Sequence, residues 1–315
     1  VPRYLITGGA GFIGSNLAET LLRAGSDVRI LDDFSTGRRE NLAEAGNWAA
    51  EGGAAFDLVE GDIRDDACCR RAVEGADYVL HQAAMPSVPR SVQDPATSNA
   101  VNITGTLNLL LAARDAGVKR FVSASSSSVY GDTPTLPKEE SMPTNPISPY
   151  ALQKATGESY CILFHRLYGL ETVALRYFNV FGPRQDPGSE YSAVIPKFIT
   201  AIKNGERPVV FGDGGQTRDF TYVANVVQIN LRACTAGPDA LGKAYNVGTG
   251  ERISLNDLLE ALGELGGTRV EPDYRPPREG DVRHSLASID RARTLLGYEV
   301  EIGLKEGLQR TWEHF

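Results

Sequence analysis

The run Tyr4-Leu5-Ile6-Thr7 passes without a break into Gly8-Gly9-Ala10-Gly11-Phe12-Ile13-Gly14, and a helical pattern with Leu17, Leu21 and Leu22 on one face follows at once. Apolar strand, glycine-rich turn and helix in that order constrain the fold more than any other feature of this chain. Gly8 permits a tight turn, Gly11 lets a ligand's phosphates approach the backbone, and Gly14 allows helix to pack on strand. The helix then meets the turn with free N–H groups and the positive end of its dipole, which suits a pyrophosphate. A second strand, Asp27-Val28-Arg29-Ile30-Leu31, ends at Asp32, about 20 residues past the glycines. An acid there binds the ribose hydroxyls of a dinucleotide and repels a 2′-phosphate, so the spacing predicts NAD rather than NADP. Arg38 and Arg39 just beyond it would blunt that preference, but they read as a solvated loop.

Further apolar runs at Tyr78-Val79-Leu80, Arg120-Phe121-Val122 and Val173-Ala174-Leu175 alternate with helical patterns, among them Asn102 to Gly117 and the stretch after Tyr150. Repeated strand–helix units predict an α/β fold built on a Rossmann-type, doubly wound parallel sheet with its ligand at the carboxyl ends of the strands. After Asn179 the pattern loosens, with helices over Ile195 to Asn204 and Leu255 to Leu265 and a proline-rich stretch from Pro272 to Pro277. The expected division is therefore a nucleotide-binding domain over 1–176 and a smaller α/β substrate domain over 177–315. A formal net charge of −8 over 315 residues argues against nucleic acid or an anionic membrane as the main partner. No window has the apolar length of a membrane span, and the chain enters its first strand with no signal peptide. The four cysteines, Cys68, Cys69, Cys161 and Cys234, show neither zinc spacing nor a disulfide framework, so no metal is expected and a reducing cytoplasm fits best. Cys68 and Cys69 lie in a charged stretch and read as surface thiols.

Tyr150 and Lys154 stand four apart in Ser148-Pro149-Tyr150-Ala151-Leu152-Gln153-Lys154. Pro149 disfavours helix before it, which places the pair on the first turns of a helix and on one face. A cation beside a phenol favours the phenolate, and such a tyrosine can exchange protons with a sugar or alcohol hydroxyl.

Other segments accompany these two motifs in order: Gly61-Asp62-Ile63-Arg64, His81-Gln82-Ala83-Ala84, Ser125-Ser126-Ser127-Ser128-Val129-Tyr130-Gly131, Arg176-Tyr177-Phe178-Asn179, Gly212 to Phe220, Tyr245-Asn246-Val247-Gly248 and Arg278-Glu279-Gly280-Asp281. Taken together, they make the chain resemble the extended short-chain dehydrogenase/reductase family over essentially its full length, and within it the nucleotide-sugar 4-epimerases. The resemblance implies that segments after Arg218 return to the first domain, so the two domains interleave. It implies a retained NAD held by Gly8, Gly11, Phe12, Ile13, Gly14, Asp32, Asp33, Asp62, Ile63, Gln82, Ala83, Ala84, Asn102, Tyr150, Lys154 and Tyr177. It implies catalysis by Ser126, Tyr150 and Lys154: Ser126 bonds the sugar's 4-oxygen, Tyr150 exchanges its proton, and Lys154 holds the nicotinamide ribose. Ser87, Ser126, Ser127, Tyr150, Asn179, Val194, Arg218, Arg278, Asp281 and Ser285 would bind the nucleotide sugar, with both arginines on the diphosphate. A homodimer joined through the helices from Asn102 and Tyr150 is also implied. The plainer readings are a serine-rich turn bonding its own backbone, a salt bridge between Arg218 and Asp219, and burial of both helices in the monomer core.

Related dehydratases carry Asp-Glu where this chain has Ser127-Ser128, and serine cannot serve as a carboxylate acid or base near neutral pH. What remains is reversible oxidation at C4 of a UDP-sugar and return of the hydride to the other face of a 4-keto intermediate. The resemblance implies that Ser285 walls the sugar pocket; small where a bulky residue would exclude 2-acetamido sugars, it favours UDP-N-acetylglucosamine and its C4 epimer UDP-N-acetylgalactosamine, with UDP-glucose and UDP-galactose as further substrates. The segments Ser87-Val88-Pro89-Arg90-Ser91, Arg184-Gln185-Asp186-Pro187 and Arg283-His284-Ser285-Leu286 resemble bacterial epimerases of that preference, whereas Pro86 departs from their glycine. UDP-glucuronic acid competes, because Ser126 to Ser128 and Arg184 could bind a carboxylate. A 4-reductase or 4-dehydrogenase using NAD(P), and a cofactor-sensing regulator, complete the alternatives.

Overall fold

Seven parallel strands form the central sheet of a computed structural model that describes residues 1–188, 194–277 and 282–315. They are β1 (Arg3–Thr7), β2 (Asp27–Asp32), β3 (Phe56–Glu60), β4 (Tyr78–His81), β5 (Arg120–Ser126), β6 (Thr172–Tyr177) and the strand Lys243–Val247. Across the sheet they run Lys243–Val247, β6, β5, β4, β1, β2, β3, so the order reverses between β1 and β4. In an open α/β sheet a ligand binds at the carboxyl ends beside such a switch point. Gly8 follows β1 there and Gln82 follows β4.

Alternate residues of each strand face opposite ways and feed two cores. Tyr4, Ile6, Val28, Ile30, Leu80 and Val122 pack under α1 (Phe12–Arg23), α2 (Ala45–Gly52) and the helix Val223–Thr235. Leu5, Leu31, Val79 and Phe121 pack under α3 (Asp66–Val73) and two later helices. A third core around Phe181, Phe198, Phe220, Leu258 and Leu262 belongs to the C-terminal half. Among its described residues that half carries three two-stranded sheets, pairing Val180–Phe181 with Thr221–Tyr222, Thr217–Arg218 with Ile253–Ser254, and Val209–Phe211 with Asp273–Arg275.

Several local expectations change. The stretch read as one helix from Asn102 is preceded by α4 (Val88–Gln93) and α5 (Pro95–Asn99), is π-wound from Ala100 to Gly105, and becomes α-helical only in α6 (Thr106–Asp115). The proline-rich stretch holds the short strand Asp273–Arg275. Cys68 and Cys69 are not surface thiols: α3 turns them inward with Ala72 and Val73, and its charged residues turn outward. Burial pushes the Cys69 thiol up to about 12, and its Sγ donates to the Ile63 carbonyl at 3.2 Å.

Helix α7 (Pro149–Tyr168) forms as its sequence dictates. Ser148 Oγ accepts from the Ala151 N–H, Pro149 fills the first turn, and Gly169 closes the helix at φ 70°. Among the described residues, no helix is long and apolar enough to cross a membrane.

Candidate active site

Gly8 sits at φ 69°, and a Cβ there would stand 2.7 Å from the Ala83 nitrogen, so the carboxyl ends of β1 and β4 touch only because it is glycine. A Cβ on Gly14 would lie 2.2 Å from the Gly8 carbonyl oxygen, which is the close helix–strand approach the motif requires. Gly11 is the N-cap of α1 and no side chain caps that helix, leaving the first-turn N–H groups of Phe12 and Ile13 to an anion. This cradle fits the pyrophosphate of NAD. Asp32, 7 % exposed, accepts the Ala10 N–H on Oδ2 and the Phe34 N–H on Oδ1, both at 2.9 Å, which aims it at the turn. Exposed Asp33 accepts from Ser35. Arg38 and Arg39 are not simply solvated: Arg38 pairs with Asp186 at 2.7 Å, and Arg39 with Glu60 at 2.6 Å while lying over Phe34. Their charge is partly offset where a 2′-phosphate would need it. Asp62 is held below the usual carboxylate range by Arg64, and Ile63 is buried beside it.

At the ends of β4 and β6, Gln82 Oε1 accepts from the Tyr177 hydroxyl at 3.1 Å, and Asn230 bonds both side chains. Sequence reasoning missed Asn230, which is fully buried on the helix Val223–Thr235, as is Asn225, and whose partners lie far off in the sequence. His81 lies between the Thr7 hydroxyl at 2.8 Å and the Thr106 hydroxyl at 2.9 Å, and burial drives it down to about 3, so it is neutral. Thr7 also accepts the Ala83 N–H at 3.3 Å, and Ala84 follows partly buried. Asn102 bonds the Met85 backbone.

The catalytic candidates meet beyond β5. Successive serines point opposite ways: Ser125 Oγ donates to Glu158, while Ser126 stands beside Tyr150, whose phenol it pulls down, and its Oγ accepts the Ser128 N–H at 3.2 Å. Ser126 is thus the serine paired with Tyr150. Lys154 Nζ lies 5.9 Å from the Tyr150 ring centroid and donates to the Ala124 carbonyl at 2.8 Å. Burial lowers Lys154 to about 8, against the opposing pull of the Glu158 carboxylate. The expected depression of the phenol is absent: burial pushes Tyr150 up to about 12, and only the bond from Ser126 pulls it back. Desolvation exceeds the effect of a cation that faces a carbonyl instead of the hydroxyl. Behind them Arg176 and Glu158, 6 % and 5 % exposed, form a buried bidentate pair.

The remaining positions lie along the C-terminal half. Asn179, at φ 22°, donates to the Asp219 carbonyl, and Val194 opens the helix Val194–Lys203. Asp219 is fully buried, and its carboxylate accepts from Thr249, Gly250 and Ala287. Arg218 donates to the Thr217 and Arg283 carbonyls. Ser285 bonds the Thr217 carbonyl through its N–H at 3.0 Å, next to His284, which is half-buried against the Thr217 hydroxyl. Ser87 is buried and caps α4 through the Arg90 N–H, and Ser127 stands partly buried between its neighbours. Arg278 and Asp281 lie outside the described residues. Among the described residues, no group of three His, Cys, Asp or Glu side chains is placed to hold a metal ion.

Residues 4–248 match the NAD dependent epimerase/dehydratase family. A UDP-glucose 4-epimerase of Mycolicibacterium smegmatis is 43% identical over 99% of this chain and 98% of its own length. A UDP-glucuronate 4-epimerase of Thermodesulfobacterium geofontis is 36% identical over 98% and 94%. The structure of a UDP-N-acetylglucosamine 4-epimerase from Methanobrevibacter ruminantium, solved with UDP-N-acetylmuramic acid, superposes with a TM-score of 0.92 at 39% identity, covering 99% of this chain and 97% of that one. With the glycine cradle, the Asp32 carboxylate and the Ser126–Tyr150–Lys154 cluster all at one edge of the sheet, the chain belongs to the NAD-dependent epimerase/dehydratase family.

Proposed function

We propose that this chain is an NAD-dependent UDP-sugar 4-epimerase whose preferred pair is UDP-N-acetylglucosamine and UDP-N-acetylgalactosamine. The observation that carries the reading is Ser126 placed beside Tyr150 at the end of β5, with serine and not carboxylate at 127 and 128. When bound, NAD supplies the acceptor and donor of hydride for C4. Tyr150 Oη takes the proton of the 4-hydroxyl, and Ser126 Oγ spans sugar oxygen and phenol. Lys154 spends one of its three donors on Ala124 and keeps two for a ribose hydroxyl and the tyrosyl oxygen. With its phenol near 12, Tyr150 is a poor base until further positive charge arrives beside it, which ties its basicity to cofactor occupancy. Asn179, Arg218, Arg278 and Asp281 serve the nucleotide diphosphate, and Ser285 leaves room for an acetamido group.

Arg184, the cation a uronic acid would call on, is turned to α1: it bonds Asn16 and Glu19, each at 2.8 Å, and lies over Trp48. That favours an uncharged sugar. A second reading, UDP-glucuronic acid, draws on one feature: Ser128 Oγ is buried with no hydrogen-bond partner among the described residues, a donor that a carboxylate would satisfy. The exposed row Leu152, Leu163 and Leu167 along α7 supports pairing with a second copy, and the expected compartment is the cytoplasm. Ser285→Tyr tests the sugar assignment: turnover of UDP-N-acetylglucosamine should fall about tenfold further than that of UDP-glucose. Equal losses on both would remove Ser285 from the sugar pocket.

A further inference from the structure

The residue between the catalytic pair carries more than helix. Gln153 lies three residues past Tyr150 and is 3 % exposed. Its Oε1 accepts from Ser98 Oγ at 2.7 Å and from Asn102 Nδ2 at 2.8 Å. The Asn102 amide is oriented by the Met85 N–H, which can only donate and meets Oδ1 at 2.8 Å. Nδ2 must therefore face Gln153, and position 153 must present an acceptor. A second tie runs in parallel: the Tyr150 N–H donates to Ser91 Oγ at 3.1 Å, and Ser91 Oγ donates to the Val88 carbonyl at 2.7 Å.

Both ties end on Met85 to Ser91, the segment holding the sugar-site candidate Ser87. Among the described residues that segment has thin apolar anchoring: α4 buries only Ser91 and leaves Val88 and Val92 exposed, with polar Ser87 buried at its start. Polar contacts thus do the anchoring that apolar burial would normally do. An epimerase needs a wall of this kind, because a 4-keto sugar must turn over without leaving while Tyr150 keeps its distance.

We propose that Gln153 is a positioning residue that, through Asn102 and Met85, clamps the segment 85–91 to the helix bearing Tyr150 and Lys154, so that the 4-keto sugar turns inside a fixed wall. The inference rests on the epimerase reading. Its test uses Gln153→Leu, Gln153→Glu and Ser98→Ala in the full chain as purified. Gln153→Glu keeps an acceptor for both donors, and Ser98→Ala removes one donor while sparing Asn102. Two quantities are read: amide hydrogen exchange across 85–91, and reduced cofactor left behind per product formed, which counts escaped keto sugar.

Gln153→Leu should speed exchange at Met85 and its neighbours about tenfold and raise the stranded reduced cofactor by a similar factor, with Gln153→Glu returning exchange to within about threefold of the parent. Ser98→Ala should show a smaller change in the same direction and decides the matter if Gln153→Leu does not fold. Parental exchange in the leucine variant, or lost turnover with no extra stranded cofactor, overturns the clamp. If the parent itself converts no UDP-sugar, the functional reading fails, while the exchange arm still judges the clamp.

Discussion

Glu158→Gln is the perturbation whose consequences the structure sets most tightly. Glu158 Oε1 accepts the Arg176 Nε at 2.9 Å and Oε2 accepts its Nη2 at 2.7 Å, within a site almost closed to water. Burial works against the Arg176 charge, yet the bonds with Glu158 more than offset it and hold the guanidinium above its ordinary value. Removing the carboxylate charge strands that guanidinium with a neutral amide and the Tyr130 hydroxyl at 2.8 Å. Breaking one side of such a buried pair costs about 3–5 kcal/mol, about a fifth or more of the stability of a typical domain. Urea unfolding of the NAD-saturated protein, followed by the fluorescence of Trp48 and Trp312, measures the loss. The double variant Glu158→Met/Arg176→Met should recover much of it, because no unpaired charge is left behind. There is a catalytic sign as well. Glu158 opposes the burial that lowers Lys154 to about 8, so without it the lysine loses its proton at a lower pH still. If the Lys154 charge is needed for turnover, the alkaline limb of the pH–rate profile moves down. A loss below about 1 kcal/mol, or losses that simply add in the double variant, would refute the reasoning.

Three further outcomes are expected. Tyr150→Phe should lower turnover about a hundredfold or more with NAD occupancy unchanged after purification, and parental turnover would remove Tyr150 from the proton path. Asp32→Ala should weaken NAD retention and lower stability, since the Ala10 and Phe34 N–H groups lose their acceptor; undiminished occupancy would contradict its ribose role. His81 is held at about 3 against an ordinary 6.5, so the folded state cannot take up the proton that the unfolded chain binds below 6.5. Stability present above that pH is lost as it falls, by about 2 kcal/mol at about pH 5, and His81→Gln should flatten this slope in urea titrations.

Where folding signals are local, the sequence showed them. The glycine turn and α7 rest on strand–turn–helix order, a Ser-Pro start and a glycine stop, and these sit where the spacing put them. β3 escaped notice because it is an edge strand with Asp57, Leu58 and Glu60 exposed, which leaves no apolar run to see. The inward turn of Cys68 and Cys69 was hidden by the charges around them, which share the helix but not its buried face. Asn230 and the Gln153–Asn102–Met85 relay depend on partners 17 to 148 positions apart, and no local pattern encodes such distances. The sign of the Tyr150 shift needed burial and the direction of the Lys154 ammonium, neither of which i, i+4 spacing supplies.

The central claim is that one site oxidises C4 and returns the same hydride to the opposite face. The most direct measurement supplies UDP-N-acetylglucosamine deuterated at C4 to the protein as purified, without added cofactor, and follows the product by NMR and mass spectrometry. The account predicts UDP-N-acetylgalactosamine that keeps its deuterium at C4 and gains none of its C4 hydrogen from solvent. Deuterium lost to water, or no product until an external reductant and a keto sugar are supplied, would contradict it.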